Sequence, residues 1–292
     1  MTKQDHFTTS VQRTRAVLNR VLDNRALNPV NKAFLNQIDI TRRNLKTQLK
    51  AKQGSVVPSQ ILPVLALGVK NLTNTINQSL MLAMDAAAHE SFDATSKMLN
   101  TLNEASSEID DVQTRSDLIS DEIDQAKDDR EKALAALAVL LFGSLKSHTD
   151  ASLLRGDTPL AFLMSIEDYI ESQWWMVERT LMTEVSRIFN GTQSAIIKKL
   201  GLWSRWTELV DDLSGKPLDK RVGQDSLAIH GQVAPPGGKF TMPSAPKVSR
   251  SLVGKSWYYP PNRPHDRAIL VPWEKSWGIS GWVLQSGQRV PL

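Results

Sequence analysis

"ATSKMLNTLNEASSEIDDVQTRSDLISDEIDQAKDDREKALAALAVLLFGSLKS", residues 94–147, is the stretch that decides the fold class of this 292-residue chain. Apolar or small residues recur at alternating spacings of three and four from Leu99 to Leu140, a seven-residue helical repeat. The pattern predicts one helix of about fifty residues, about 75 Å long at 1.5 Å per residue. Such a helix needs a partner along its stripe, either another helix of this chain or another protein. The small and polar residues on the stripe, Ser106, Ser116 and Arg130, favour varied neighbours within the chain.

The segment before this stretch is also helical. Apolar residues follow helical spacing through residues 10–52, and Pro29 interrupts the series, so the sequence predicts two helices there. Residues 53–63 then form a linker, with Ser59 as the cap of a helix that begins near Ile61.

The segment after it begins and ends with helix signals. Residues 156–201 open with Asp-Thr-Pro and close at Gly201, which predicts a second long helix or a closely jointed pair, bent at Gly191. Beyond residue 201, short apolar pieces alternate with Gly, Pro, Ser and Asp clusters, a pattern typical of short strands and loops.

The predicted fold class is therefore a mainly α N-terminal region with long helices, followed by a small α+β C-terminal domain rich in ordered loops. Composition supports the division, since six of the eight tryptophans lie after residue 200. The predicted domains are a basic helical arm, a long-helix region and a small α+β domain with proline-rich loops, at residues 1–53, 59–200 and 201–292.

Composition excludes several classes of protein. The chain has no cysteine, which rules out disulfides, thiolate metal sites and thiol catalysis. The longest apolar run, residues 133–143, is shorter than the roughly 20 residues that span a bilayer, so we expect no membrane contact. The first twenty residues lack a signal-peptide core, and we expect the protein to stay in the compartment where it is made.

Charge is unevenly distributed along the chain. Residues 1–52 carry eleven Lys/Arg against three Asp/Glu, residues 104–131 carry three against eleven, and residues 198–292 carry fourteen against seven. Cations along two helices could bind the phosphates of nucleic acid, pair with the acidic helix or face water. The candidate nucleic-acid contacts are Arg13, Arg15, Arg20, Arg42, Arg43 and Lys46.

Histidines and carboxylates near the C-terminus invite a metal or acid–base interpretation. His230 and His265 have Asp219, Asp225 and Asp266 nearby in sequence, but nothing has the tight spacing of a known metal motif. The chain also lacks a nucleophile elbow, a kinase set and a dinucleotide fingerprint. We therefore predict no metal, no cofactor, no catalytic residues and no enzyme activity.

The stretch "PPNRPHDRAILVPW", residues 260–273, favours a rigid loop. Its prolines fix their own φ and push the preceding residues toward extended conformations, so Arg263 and Arg267 would project from a stiffened backbone. Arg267 could bind a carboxylate such as Asp266 or Asp211, and Trp273 would cover apolar surface beside it. This arrangement suits a docking surface better than catalytic turnover.

The C-terminal third resembles a known family. "MTEVSRIFNGTQ" at 182–193, a tryptophan-led strand, a His-Gly pair and the late Pro-Asn-Arg-Pro-x-Asp-Arg segment occur in the order found in phage minor head proteins of the Mu protein F-like head-morphogenesis family. The resemblance covers roughly residues 170–290. By position it carries over Glu184, Asn190, Trp206, Asp211, Asp212, Arg221, His230, Gly231, Asn262, Arg263, Asp266 and Arg267.

The resemblance implies a structural virion protein that acts in head morphogenesis at or near the portal vertex. Its implied partners are the portal protein and the major capsid protein, and the alternative is a nonspecific DNA-binding protein of the capsid interior. The resemblance gives the matching residues scaffold and docking roles, and we add Trp273 to that set. Many relatives carry cysteine pairs in this region and this chain has none, so no metal-binding role is carried over.

Overall fold

The computed structural model describes residues 2–50, 58–102, 112–210, 217, 222–263, 266 and 268–292. These ranges contain seven α-helices: α1 (Lys3–Val21), α2 (Asn28–Lys50), α3 (Pro58–Thr101), α4 (Val112–Arg155), α5 (Pro159–Ser172), α6 (Trp174–Lys199) and α7 (Gln224–Ile229). They also contain seven strands: β1 (Trp203–Thr207), β2 (Val233–Ala234), β3 (Phe240–Thr241), β4 (Ser256–Trp257), β5 (Ile269–Trp273), β6 (Trp282–Gln285) and β7 (Gln288–Pro291). The predicted fold class is confirmed.

Two α-helices occupy the basic N-terminal segment, as predicted, but Pro29 does not separate them. A π-helical stretch, Leu22–Leu27, joins α1 to α2, and Pro29 lies in the first turn of α2. Proline removes only one backbone donor, and near a helix start that loss is tolerated. The prediction that Ser59 caps a helix beginning near Ile61 is wrong, because α3 already begins at Pro58. Proline is favoured at the first helical position, where its fixed φ suits the helix.

The single rod predicted over residues 94–147 is divided between two helices. α3 ends at Thr101 and α4 begins at Val112, and each helix has 44 residues. The stripe residues Ser106 and Ile109 lie outside the described residues. Within the described residues the seven-residue repeat identified helical sequence correctly, but the prediction of one uninterrupted helix was wrong.

Of the two alternatives predicted for residues 156–201, a single long helix or a jointed pair, the structure shows the jointed pair, α5 and α6. Thr158 caps α5, since its hydroxyl accepts the Ala161 N–H at 3.3 Å, and Pro159 takes the first helical position. Gln173 joins the two helices. Gly191 lies within α6, and Gly201 follows it with a φ of +66°, as a terminal glycine should.

The chain divides into two compact units. The mixed unit comprises Met1–Leu22, Met84–Lys127 and Met182–Leu292, and the helical unit comprises Asp23–Ala83 and Asp128–Leu181. The three segments predicted along the chain group residues by composition, and their boundaries stay predictions.

The core of the helical unit is built from facing helix stripes. Phe34 of α2, Leu65 of α3 and Leu141 of α4 are all buried. Each such side chain contributes about 1.5–3 kcal/mol by leaving water. Gly68 lets α2 and α3 approach closely, because an added Cβ there would lie 2.7 Å from the Thr41 hydroxyl oxygen.

The mixed unit holds a three-stranded antiparallel sheet in the order β2-β1-β5. β1 is central, with Trp206 opposite Leu270 of β5 and Arg205 opposite Val233 of β2. Trp206 is fully buried and packs edge-on against Phe240 at 5.4 Å between ring centroids. Hairpin β6–β7 adds a separate two-stranded sheet. This core places the end of β1, α7 and the loop before β5 close together.

None of the helices within the described ranges combines the length and the apolar character needed to cross a membrane.

Candidate functional site

A cluster of polar side chains forms where β1 ends. We call Glu208, Ser226, His230, Asn262 and Asp266 the polar cluster. Glu208 follows β1, Ser226 lies on α7, His230 follows α7, and the other two belong to the loop before β5. Three separate segments of the mixed unit therefore contribute to it.

His230 fastens α7 to the end of β1. Its Nδ1 accepts the backbone N–H of Glu208 at 3.0 Å, and its carbonyl oxygen accepts the indole N–H of Trp282 at 2.9 Å. Burial, together with the nearby guanidinium groups of Arg205 and Arg15, lowers the pKa of His230 to about 3. His230 is thus a neutral hydrogen-bond acceptor at neutral pH, which suits a structural role.

Gly231 makes the turn that follows His230. Its φ of +80° lies in the left-handed region, where a side chain is strained. Its N–H donates to the Trp206 carbonyl at 2.9 Å, and an added Cβ would lie 3.2 Å from the Trp282 indole nitrogen. The predicted His-Gly pair therefore joins β1, α7 and β6.

Asp266 organises the loop before β5. Its carboxylate accepts the backbone N–H of Asn262 at 2.9 Å, the backbone N–H of Ala268 at 3.1 Å and the hydroxyl of Ser226 at 3.0 Å. The side chain is only 2% exposed. Arg263 pairs with Asp225 at 3.1 Å and ties the same loop to α7. The loop is thus held by the buried carboxylate of Asp266 and by the partly exposed Arg263–Asp225 pair.

Glu208 brings a second carboxyl into the cluster. Burial, together with the neighbouring carboxylate of Asp266, raises its pKa to about 8. Its Oε1 lies 3.5 Å from the Trp206 indole nitrogen, which donates to it. At neutral pH Glu208 therefore holds its proton. An uncharged Glu208 avoids two buried like charges side by side.

Asn190 links α6 to the sheet. It is fully buried, donates to the Ala268 carbonyl at 3.2 Å and accepts the Leu270 N–H at 2.8 Å. Asn190 is one of the residues that match the family motifs. Its side-chain amide bonds backbone groups of the β5 segment in the way that a neighbouring strand would. Substitution by any residue without both a donor and an acceptor would leave buried backbone groups unpaired.

Of the ten residues predicted to dock, six lie within the described ranges, and three of these six are buried. Trp206, Asp266 and Trp273 are buried, and the Trp273 indole donates to the Ile279 carbonyl at 3.0 Å. These three residues can support a docking surface from below, but they cannot contact a partner directly. Asp211, Asp212, Arg221 and Arg267 lie outside the described residues, as does His265, so the predicted pairing of Arg267 stays a prediction.

The six candidate cations have different surroundings. Arg15 donates to the backbone carbonyls of Thr207 and Glu208, which attaches α1 to the end of β1. Arg20 pairs with Glu90 at 2.7 Å, and Arg42 pairs with Glu167 at 3.1 Å. The remaining three, within the described part of the chain, have no carboxylate partner: Arg13, Arg43 and Lys46.

Sequence reasoning missed Glu208 and Ser226. Glu208 lies two positions after Trp206, so strand alternation places it on the buried side, a signal that was available in the sequence. Ser226 had no such signal, because its partners Asn262 and Asp266 are distant in sequence. Across the described ranges, no three His, Asp or Glu side chains come together to hold a metal ion.

Comparisons of the chain with protein-family models, with curated proteins and with solved structures found no match.

Proposed function

We propose that the chain is a structural, non-enzymatic phage virion protein. It acts in head morphogenesis as a minor head protein associated with the portal vertex. Its helical unit contacts the portal protein or the major capsid protein, and its C-terminal module supplies a second contact.

The convergence of the motif residues is the observation that carries this proposal. Asn190, Trp206, His230, Asn262 and Asp266 were selected by their order along the chain, and all five contribute to the core or hydrogen bonds of one module. Residues that match a family motif by chance would have no reason to meet. Their placement within one module supports a module shared with the head-morphogenesis proteins.

The helical unit supports the docking role. Ten of the thirteen large apolar side chains that are exposed in the described residues belong to this smaller unit. On α4, Val139 is 72% exposed and Leu140 is 59% exposed, within a segment that has no charge from 133 to 145. Concentrated exposed apolar surface marks protein-interaction sites.

The test is co-sedimentation with portal oligomers or procapsids of the phage that encodes the chain. We expect stoichiometric binding that weakens about tenfold or more in Val139→Gln/Leu140→Gln, because truncating buried interface anchors costs more than about 1 kcal/mol each. The matched control is Val253→Gln, an exposed valine of the mixed unit at 41% exposure. Absence of binding to both portal and procapsid would end the proposal.

The alternative is a nonspecific DNA-binding protein of the capsid interior, engaged in packaging or ejection. One observation favours it: residues 226–265 contain five Lys/Arg and no Asp/Glu. Binding through phosphates would weaken steeply with salt, so duplex affinity should be measured first at about 50 mM salt. Unmeasurable affinity under that condition rejects the alternative.

A further inference from the structure

A groove of about 510 Å³ lies between α1 and α3 within the mixed unit. One face of each helix lines it: residues 10–20 of α1 contribute at spacings of three and four, and residues 90–101 of α3 do the same. The helices run in opposite directions along the groove, since Arg20, at the end of the α1 stretch, pairs with Glu90, at the start of the α3 stretch.

The charges that line the groove do not cancel. Three cations and two carboxylates face it, and both carboxylates are already engaged. Arg20 pairs with Glu90 at 2.7 Å, and Arg115 pairs with Asp93 at 2.9 Å. Arg13 and Lys97 also line the groove and, among the described residues, have no carboxylate partner.

Arg13 and Lys97 lie at the same level of the groove. Each is seven residues from its helix's member of the Arg20–Glu90 pair, which corresponds to about 10 Å along either axis. Because the helices are antiparallel, the two displacements point the same way. Two exposed cations therefore line one volume, and neither is paired with the two carboxylates that also line it, an arrangement that an anionic ligand would stabilise.

Two hydroxyl groups lie beside these cations on α1. Ser10 is 5% exposed and Thr14 is 2% exposed, and both line the groove. Neither hydroxyl has a hydrogen-bond partner within the described residues. Both hydroxyls line the groove, where each can donate a hydrogen bond to an acceptor oxygen of a bound ligand.

We propose that this groove binds a phosphate-class dianion. A tetrahedral oxyanion accepts hydrogen bonds from a guanidinium, an ammonium and two hydroxyls at once, and its two negative charges balance Arg13 and Lys97. A single carboxylate would balance one of them. The C-terminal end of α3 adds a partial negative charge of about half a unit, which two full cations outweigh. This site does not depend on the proposed head-assembly role.

The test uses the full chain and inorganic phosphate, with binding followed by calorimetry and by the rise in Tm. We expect saturable binding at low salt and at least a tenfold loss of affinity in Arg13→Gln/Lys97→Gln, since charge-assisted hydrogen bonds are the strong ones. The matched control is Lys46→Gln/Lys70→Gln, which removes two exposed cations of the helical unit. Equal loss in both double variants, or no phosphate binding by the parent chain, would overturn the site.

A second variant keeps the test independent of folding. Thr14→Val preserves shape and removes one hydroxyl, so we expect a several-fold loss of phosphate affinity with an unchanged circular dichroism spectrum. Unaltered affinity in Thr14→Val together with unaltered affinity in Arg13→Gln/Lys97→Gln would contradict the assignment.

A competition experiment with duplex DNA distinguishes the two possible sources of the phosphate group, a small phosphate compound and nucleic acid. If free phosphate binds and duplex DNA does not compete, the ligand is a small phosphate compound. If duplex competes and its binding also depends on Arg13 and Lys97, the phosphate belongs to nucleic acid. If duplex DNA binds equally well to the parent chain and to Arg13→Gln/Lys97→Gln, the groove is not the site that binds duplex.

Discussion

Replacing Glu208 by glutamine should remove a loss of stability that the wild-type protein suffers above pH 6.5. Glu208 is 1% exposed, and burial, assisted by the carboxylate of Asp266, raises its pKa to about 8 from an ordinary value of 4.5. Glutamine has the shape of the protonated carboxyl and keeps an oxygen that can accept from the Trp206 indole. The variant therefore reproduces the low-pH form of the residue at every pH.

The sign follows from proton binding. Between pH 4.5 and 8 the folded protein holds a proton on Glu208 that the unfolded chain has lost, so raising the pH favours unfolding. The slope is about 1.4 kcal/mol per pH unit. His230 acts oppositely: its pKa falls from 6.5 to about 3 on folding, so it lowers stability as pH falls below 6.5.

The window from pH 6.5 to 8 isolates Glu208, because His230 is neutral in both states there. Wild type should lose about 2 kcal/mol of unfolding free energy across it. Between pH 4.5 and 6.5 the two slopes oppose each other, and stability should form a plateau.

The assay is urea unfolding followed by tryptophan fluorescence at half-unit steps from pH 6.5 to 8. Glu208→Gln should be flat across the window, so its stability advantage over wild type should grow by about 2 kcal/mol between pH 6.5 and pH 8. The control is Glu171→Gln, an exposed glutamate that should keep the wild-type slope. A wild type without the slope, or a Glu208→Gln variant that retains it, would refute the proposed shared burial of the two carboxyls.

Three further changes test the fold. Gly231→Ala should lower the free energy of unfolding in urea by about 1–3 kcal/mol, because the φ of +80° is strained for alanine and the Cβ meets the Trp282 indole. As the control, Gly143→Ala has nothing within 4 Å of the added Cβ and should raise the free energy of unfolding by about 0.5–1 kcal/mol. Asn190→Ala should cost about 3 kcal/mol or more by leaving two buried backbone groups of the β5 segment unpaired, and equal stability would contradict the link. Thr158→Ala should cost about 1 kcal/mol by removing the cap of α5, and helix loss by circular dichroism should accompany it.

Local signals predicted the elements better than their limits. The helical spacing of apolar residues identified the α5–α6 pair and the helical character of α3 and α4, because the residues that a helix buries recur in the sequence every three or four positions. The ends failed where competing signals were equally local. Ser59 and Pro58 both suit a helix start, and the repeat continues in sequence past Thr101, where α3 ends.

The candidate site was predictable in part. The order of the motifs along the chain singled out Asn190, His230 and Asp266, and all three make hydrogen bonds within the module. From the basic composition of residues 1–52, Arg15 was predicted to be a surface cation that contacts nucleic acid. In the fold its guanidinium contacts a carbonyl 192 residues away along the chain.

The sequence by itself determined the class of the fold and the helical or mixed character of its regions, because these depend on the spacing of residues within one or two turns. It also determined the absence of thiol chemistry, because the chain has no cysteine. Only the tertiary structure decided the protonation of Glu208 and His230, the pairing of Arg15 and the charge left unbalanced between α1 and α3. These properties depend on burial and on neighbours brought from distant segments, and neither quantity is set by a residue's local sequence.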